Sequence, residues 1–325
     1  MYNIIIELRS LVADIVTKHA PSLIYYLAER ASRTNLSVRT TFDMIKILDE
    51  DGARQIRLSR NNAVYLLDIL NAFDYYYNSA EPILIKSGNR QFGIVDFSTP
   101  RFHEISGFAD FPIMCPSLTE PFVTIQQYLD FANLNEGGIA IDLGCYSALT
   151  SIAFSKKVGE SGRVIALEPD PVNYFAAEKN IHYHLLHNKL SNITLMANAA
   201  GAASGPIRFS SEGSMGSAAI SIVGDFRGES INVDCITLQD VVDLNRLDKV
   251  DFVKMDIEGS EEAVIASSDN FFRRYKPRII IEPHVVNGIL ATGKVSSILE
   301  GFGYCCETIE QVGVALPLVI GIPRL

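Results

Sequence analysis

Five short apolar runs, each with an acid or an amide near its end, constrain this chain more than any other feature. They are GGIAIDLG (137–144), RVIALEPD (163–170), NITLMANA (192–199), KVDFVKMD (249–256) and KPRIIIEPH (276–284). None keeps a strict apolar–polar alternation, so each predicts a strand buried on both faces, as in parallel sheets covered by helices. Between them, ALTSIAFSKKVG, PVNYFAAEKNIHYHLLH and SEEAVIASSDNFFRRY read as helices, the second opened by Pro171. Strand and helix in alternation predict an α/β fold with a doubly wound sheet, mostly parallel. The tail YCCETIEQVGVALPLVIGIP closes it with an antiparallel strand pair. Residues 116–325 form this domain. Ligands of such sheets sit beyond the carboxyl ends of the strands, near the switch in strand order, and the polar ends of the five runs fall there.

Residues 1–115 predict an accessory α+β region that covers an acceptor or mediates homo-oligomerisation. FDMIKILDEDGARQIRL and PILIKSGNRQFGIVDF each read as a hairpin across a turn, and AVYLLDILNAFDYYY between them as a helix. Near the N-terminus, Ile4, Leu8, Leu11 and Ile15 recur at helical spacing. The opposite face mixes Glu7, Asp14 and Lys18, whereas a helix lying on a membrane is usually basic there. Packing against protein is the expectation, and peripheral membrane contact the lesser one. No run resembles a signal peptide or a transmembrane span. With a net charge of −10, the chain does not read as a general nucleic-acid binder. Its five cysteines are odd in number and lack C-x-x-C spacing, which points to a reducing, cytoplasmic compartment. The adjacent Cys305 and Cys306 read as residues of a late strand.

The first two strand tips describe a ligand. Asp142 and Gly144 end the first strand, and a glycine in a strand-to-helix turn lets the backbone approach what binds there. A dinucleotide site would carry G-x-G-x-x-G for its pyrophosphate. Here one glycine is present, and the Asp142 carboxylate would repel phosphate while suiting an ammonium group. Glu168 ends the second strand, where an acid accepts hydrogen bonds from ribose hydroxyls. A ribose, a cationic amino-acid end and no phosphate fit S-adenosylmethionine, with S-adenosylhomocysteine as product.

Asp142-Leu143-Gly144, Glu168-Pro169-Asp170, Asn198-Ala199 and DFVKMDIEGSE together resemble the FkbM-type S-adenosylmethionine-dependent methyltransferases, over roughly residues 116–290. The resemblance implies a class I methyltransferase fold and transfer of a methyl group, usually to a hydroxyl of a sugar, glycolipid or polyketide-type natural product. It implies that Asp142 faces the methionine amino group and that Gly144, Cys145 and Tyr146 line the donor by backbone. Glu168, with Pro169 behind it, holds the ribose, and Asn198 and Ala199 flank the adenine. PSLTEP resembles the entry segment of such enzymes, which brings in Ser117 and Glu120. Ala148 departs from the pattern, standing where these proteins commonly have a second glycine. A degenerate, non-catalytic binding domain and a nicotinamide-dependent oxidoreductase are the alternatives.

Two strand ends carry the catalytic candidates. Along VDFVKMDIEGSE, Lys254, Asp256 and Glu258 alternate and would share one face of a strand. Asp256 is a candidate base for a hydroxyl acceptor, and Lys254 a group that holds it ionised or orients the acceptor oxygen. The structural alternative is a charge pair that locks the strand to a helix capped by Ser260. His284, after IIIEP, has an ordinary pKa suited to taking a proton, with Glu282 to orient it or bind the acceptor. Three further features read as bland. His182, His184 and His187 do not share one helix face. Asp269-Asn270 resembles the metal motif of catechol-type methyltransferases but falls late in a predicted helix, so no metal is expected. SSEGSMGSAAI (210–220) reads equally as a lid or acceptor loop and as an ordinary surface loop.

Overall fold

The computed structural model describes residues 35–324 except 42–43, 60–61, 63–64, 120, 220–228, 287 and 313–315. The expected N-terminal amphipathic helix lies outside the described residues. The chain divides between Phe122 and Val123 into two compact units. Among the described residues no helix is long and apolar enough to cross a membrane.

The first unit is built on a five-stranded sheet of β1 (Ser37–Thr40), β2 (Met44–Leu48), β3 (Arg54–Ser59), β4 (Ile83–Ser87) and β5 (Arg90–Phe97), in the order β1-β2-β3-β5-β4. Both expected hairpins form, β2 with β3 and β4 with β5. A small pair, β6 (Arg101–His103) and β7 (Ile113–Cys115), follows. The expected single helix between the hairpins is two, α1 (Leu66–Asn71) and α2 (Phe73–Tyr77), broken at Ala72, whose φ is −137°. Around the second of them, Phe73 and Tyr77 stack on each other and lie under the Arg54 guanidinium. Aromatic packing here outweighs helix continuity.

The second unit opens with α3 (Phe122–Ala132, starting at the boundary) and carries a seven-stranded sheet. Its first strands are β8 (Ile139–Leu143), β9 (Arg163–Leu167) and β10 (Ile193–Met196). A separate four-stranded sheet follows in sequence, from β11 (Asn198–Ala200), β12 (Gly205–Ser211), β13 (Ala218–Ala219) and β14 (Glu229–Ile236). The main sheet resumes with β15 (Phe252–Met255) and β16 (Arg278–Ile281). After the short pair β17 (Val285–Val286) and β18 (Ile289–Leu290), it ends with β19 (Tyr304–Ile309) and β20 (Leu318–Pro323). The order is β10-β9-β8-β15-β16-β20-β19, and only β20 runs against its neighbours. That is the expected class I methyltransferase fold, mostly parallel with a C-terminal antiparallel strand.

Both faces of the sheet are covered, which is why its strands read as unbroken apolar runs. Ile141, Leu143, Val253 and Met255 pack into one core, and Ala140, Val164 and Phe252 into another, where Phe154 meets Phe252 edge to face. The helices are α4 (Leu149–Val158), α5 (Pro171–Asn188), α6 (Leu238–Asn245), α7 (Glu261–Ala266), α8 (Asp269–Tyr275) and α9 (Thr292–Gly301). Strand order reverses between β8 and β15, so their carboxyl ends open the crevice where ligands of such sheets bind.

Two expectations change here. NITLMANA is not one strand: it breaks at Ala197, and β11 leaves to pair with β14. SEEAVIASSDNFFRRY is two helices, because the Ser267 and Ser268 hydroxyls both donate to the Val264 carbonyl and compete with the helix ladder. Asp269 therefore opens α8, where it pairs with Arg273, rather than closing a longer helix. Residues 212–217 are held in place: Asp170 Oδ2 accepts from Glu212 N, Gly213 N and Ser217 Oγ.

Candidate active site at the strand tips

The turn after β8 is shaped by one glycine. Gly144 has φ +75°, and a Cβ there would lie 1.8 Å from the carbonyl oxygen of Asp256 at the tip of β15. Gly144 N and Cys145 N both donate to the Leu167 carbonyl, folding the turn across the end of β9. Lys254 Nζ donates to the Gly144 carbonyl at 2.7 Å. The turn is thus tied to both flanking strands. Tyr146 and Ala148 also take positive φ, +49° and +62°.

Ala148 is fully buried at this strained position, just before α4. Strain of about 1–2 kcal/mol is offset by its buried methyl, about 0.8 kcal/mol, and by about 0.4–1 kcal/mol of chain entropy that glycine would add to the unfolded state. Ala148→Gly therefore changes the unfolding free energy by less than about 1 kcal/mol. Urea unfolding checks this, and a larger change in either direction refutes the balance.

Asp142 and Lys254 are register partners on adjacent strands. Asp142 is fully buried; its Oδ2 accepts from Ser151 Oγ at 2.6 Å, and its Oδ1 lies 3.6 Å from Lys254 Nζ with no hydrogen-bond partner. Burial pushes its pKa up, against the pull of Lys254. Glu168 is also buried, accepting from Tyr146 N at 2.9 Å, Asp170 N at 3.0 Å and Asn173 Nδ2 at 3.4 Å. Burial raises its pKa to about 8. Pro169 leads into Asp170, which caps α5 through Val172 N and Asn173 N.

Lys254 is buried within β15, but the other two charges of its motif are not on the strand. Asp256 lies just past the strand end, and Glu258 sits in a turn at φ +53°. The shared strand face is therefore corrected to a strand end followed by a turn. Lys254 Nζ lies 3.4 Å from Asp256 Oδ2. Ser260 makes no side-chain cap; instead the buried Glu261 accepts from Ile257 N and Gly259 N. The same Glu261 Oε1 lies 2.9 Å from His284 Nδ1, tying the tip of β15 to the tip of β16.

His284 faces three acids. Burial opposes charging it, but Glu258, Glu261 and Asp256 outweigh that and hold its pKa well above the ordinary imidazole value. The three acids thus favour the charged imidazolium in this form of the site. Glu282 does not orient it. Its Oε2 accepts from Tyr128 Oη at 3.2 Å and Gln311 Nε2 at 3.1 Å. Burial, with Asp256 nearby, raises its pKa to about 7.

Sequence reasoning missed Ser151, Glu261, Tyr128 and Gln311. Ser151 had a signal, since it follows Asp142 by nine residues on the next helix. Tyr128 and Gln311 come to Glu282 from 154 and 29 residues away, and no spacing rule reaches them.

Asn198 Nδ2 donates to the Asp234 carbonyl, and Ala199 is buried, both in the small sheet. Ser117 is buried in the first unit, and Glu120 lies outside the described residues. His184 is buried against Ser155 and Asn188, whereas the exposed His187 stacks on Tyr183. Cys305 and Cys306 are free thiols in β19.

The sequence matches the methyltransferase FkbM domain over residues 138–304, just over half of the chain. It belongs to the FkbM methyltransferase family. The methyl donor is accordingly S-adenosylmethionine, which replaces the nicotinamide alternative. The residues present fit that donor: Asp142 Oδ1, at the end of the first strand, is a buried oxygen without a hydrogen-bond partner. Comparison with curated proteins gives no match.

Among solved structures, the methyltransferase FkbM of Methylobacillus flagellatus is 17% identical, with a TM-score of 0.44. The alignment covers 80% of this chain and 54% of that one, so the FkbM-family chain described here spans about half of that protein's length. A S-adenosylmethionine-dependent O-methyltransferase of Thermotoga maritima is 12% identical, with coverage of 89% and 86% and a TM-score of 0.40. Aeropyrum pernix fibrillarin, with natively bound S-adenosyl-L-methionine, is 10% identical, with coverage of 88% and 98% and a TM-score of 0.41. Scores this low carry no weight; the fold class rests on the strand order of the sheet itself.

Proposed function

We propose that this FkbM-family chain methylates a hydroxyl oxygen on a sugar-containing, glycolipid or natural-product acceptor. The observation that supports it is the convergence of Asp256, Glu282 and His284, each offering a polar atom within 4.8 Å of the others, beyond the ends of β15 and β16. A hydroxyl is a weak nucleophile, and it needs alignment and a route for its proton. Asp256 and Glu282 offer acceptors for that proton. His284 and Lys254 place positive charge beside the oxygen as the proton leaves. An acceptor screen with radiolabelled methyl donor tests the reading. Tight product binding with no transfer to any hydroxyl would instead favour a binding module.

On the donor side, S-adenosylmethionine supplies a methyl group activated by its sulfonium. Asp142 Oδ1 takes the ammonium, and the Gly144–Tyr146 backbone lines the methionine end. Glu168 takes the ribose hydroxyls, and Asn198 and Ala199 take the adenine. In the ligand-free chain Glu168 holds its proton up to about pH 8. Ribose hydroxyls donate to its ionised form, so binding below that pH expels a proton. Affinity for S-adenosylhomocysteine therefore rises with pH, about tenfold per unit below pH 8, and levels off above it. Calorimetry at pH 6, 7 and 8.5 reads this, and Glu168→Gln flattens the profile. A flat wild-type profile sinks the assignment.

A further inference from the structure

Nε2 of His284 stands 3.8 Å from Asp256 Oδ1 and 3.5 Å from Glu258 Oε2. These gaps are long for hydrogen bonds. They suit donors that share one cation at about 2.0–2.2 Å from each. One oxygen of Asp256, one of Glu282 and one ring nitrogen of His284 all lie within 4.8 Å of one another. The three come from the tips of adjacent parallel strands, where Glu282 N donates to the Met255 carbonyl and fixes their register.

The ring is oriented from behind. Its Nδ1 lies 2.9 Å from Oε1 of the fully buried Glu261. Metal-bound histidines almost always give their second ring nitrogen to such a carboxylate or carbonyl. An independent observation comes from buried atoms around the ligands. Glu261 Oε2 and Gln311 Oε1 have no hydrogen-bond partner among the described residues, and Gln311 donates its amide to Glu282. Charge points the same way. Asp256, Glu258, Glu261 and Glu282 gather four carboxyl groups, and Lys254 is shared between Asp256 and Asp142. Glu261 and Glu282 are buried and Asp256 and Glu258 partly exposed, with Lys254 and the His284 imidazole as the positive charges beside them; a divalent ion that replaces the His284 proton keeps the buried acids compensated.

We propose that Asp256, Glu282 and His284 hold one divalent transition-metal ion, with Glu258 beside it, and that this ion receives the acceptor hydroxyl. An imidazole in the donor set favours Mn²⁺, Fe²⁺, Co²⁺ or Zn²⁺ over Mg²⁺ and Ca²⁺, which prefer oxygen throughout. Binding exchanges the proton on Nε2 for the ion. The role of the ion rests on the hydroxyl-methylation reading; its binding rests on strand-tip geometry. With the ion bound, Asp256, Glu282 and His284 serve as its ligands in place of the proton-accepting and charge-placing roles given them above: the ion supplies the positive charge, and the hydroxyl loses its proton to water. Its oxygen then forms the new O–CH₃ bond as the S–CH₃ bond breaks, and the electron pair stays on the sulfur of S-adenosylhomocysteine.

Mn²⁺ and Co²⁺ alone, titrated into the full chain after chelator treatment, test the proposal. One equivalent binds, and Asp256→Asn and Glu282→Gln each weaken Mn²⁺ binding at least about tenfold, with Glu261→Gln weakening it about 10–100-fold. In the wild-type chain bound Mn²⁺ slows modification of His284 by diethylpyrocarbonate, read by peptide mass spectrometry, so the result does not depend on any variant folding. No saturable single equivalent, or equal modification rates with and without Mn²⁺, overturns the site. Calorimetry with S-adenosylhomocysteine on the chelated chain separates the two readings. Product binding without metal binding removes the ion and leaves the methyltransferase; metal binding without product binding removes the methyl-transfer role.

Discussion

Gly144→Ala lowers the unfolding free energy by about 2–5 kcal/mol and abolishes measurable affinity for S-adenosylhomocysteine. An alanine at φ +75° costs about 1–2 kcal/mol. Its Cβ would also fall 1.8 Å from the Asp256 carbonyl oxygen, which belongs to the neighbouring strand tip and cannot rotate away. Forcing atoms into packed structure typically costs about 1–3 kcal/mol more. The displaced turn carries the backbone proposed to line the donor and the carbonyl that Lys254 holds. Gly293→Ala is the control: it lies in α9 at ordinary φ with nothing within 4 Å of an added Cβ, and gains up to about 1 kcal/mol. Urea unfolding and calorimetry report both. Wild-type stability and affinity in Gly144→Ala would show that the two strand tips are not in contact.

Asp256→Asn and His284→Gln each lower turnover about 10²–10⁴-fold once an acceptor is in hand. Donor-product affinity in both stays within about 0.5 kcal/mol of wild type, because neither side chain belongs to the proposed donor contacts. Single-turnover transfer of labelled methyl, with calorimetry beside it, separates the two effects. Asparagine keeps the shape of Asp256 and removes its charge, while glutamine at 284 keeps an amide able to meet Glu261. If both variants keep full rate, the strand-tip cluster is not where the acceptor hydroxyl reacts.

Much of this site was legible from the residues in order. Asp142 and Glu168 announce themselves because a strand buried on both faces admits an acid only at its end, and both fall there. Lys254 was visible as a charge inside an apolar run, and it is indeed buried in β15. The Ser260 cap was not legible, because a serine before a helix looks the same whether or not its hydroxyl bonds; here Glu261 takes over that role. The break of NITLMANA at Ala197 was equally hidden, since what ends β10 is the pull of a second sheet formed with a segment more than thirty residues away.

The sequence by itself determined a doubly wound sheet and the tips that bear charge, because strand burial and helix alternation are written in local periodicity. Only the tertiary structure decided which charges meet. Asp256, Glu258, Glu261, Glu282 and His284 stand together because β15 and β16 are neighbours in the sheet, although 28 residues separate Asp256 from His284. Their protonation follows from that meeting, since burial and nearby charge, unlike periodicity, depend on what the fold brings within a few ångströms.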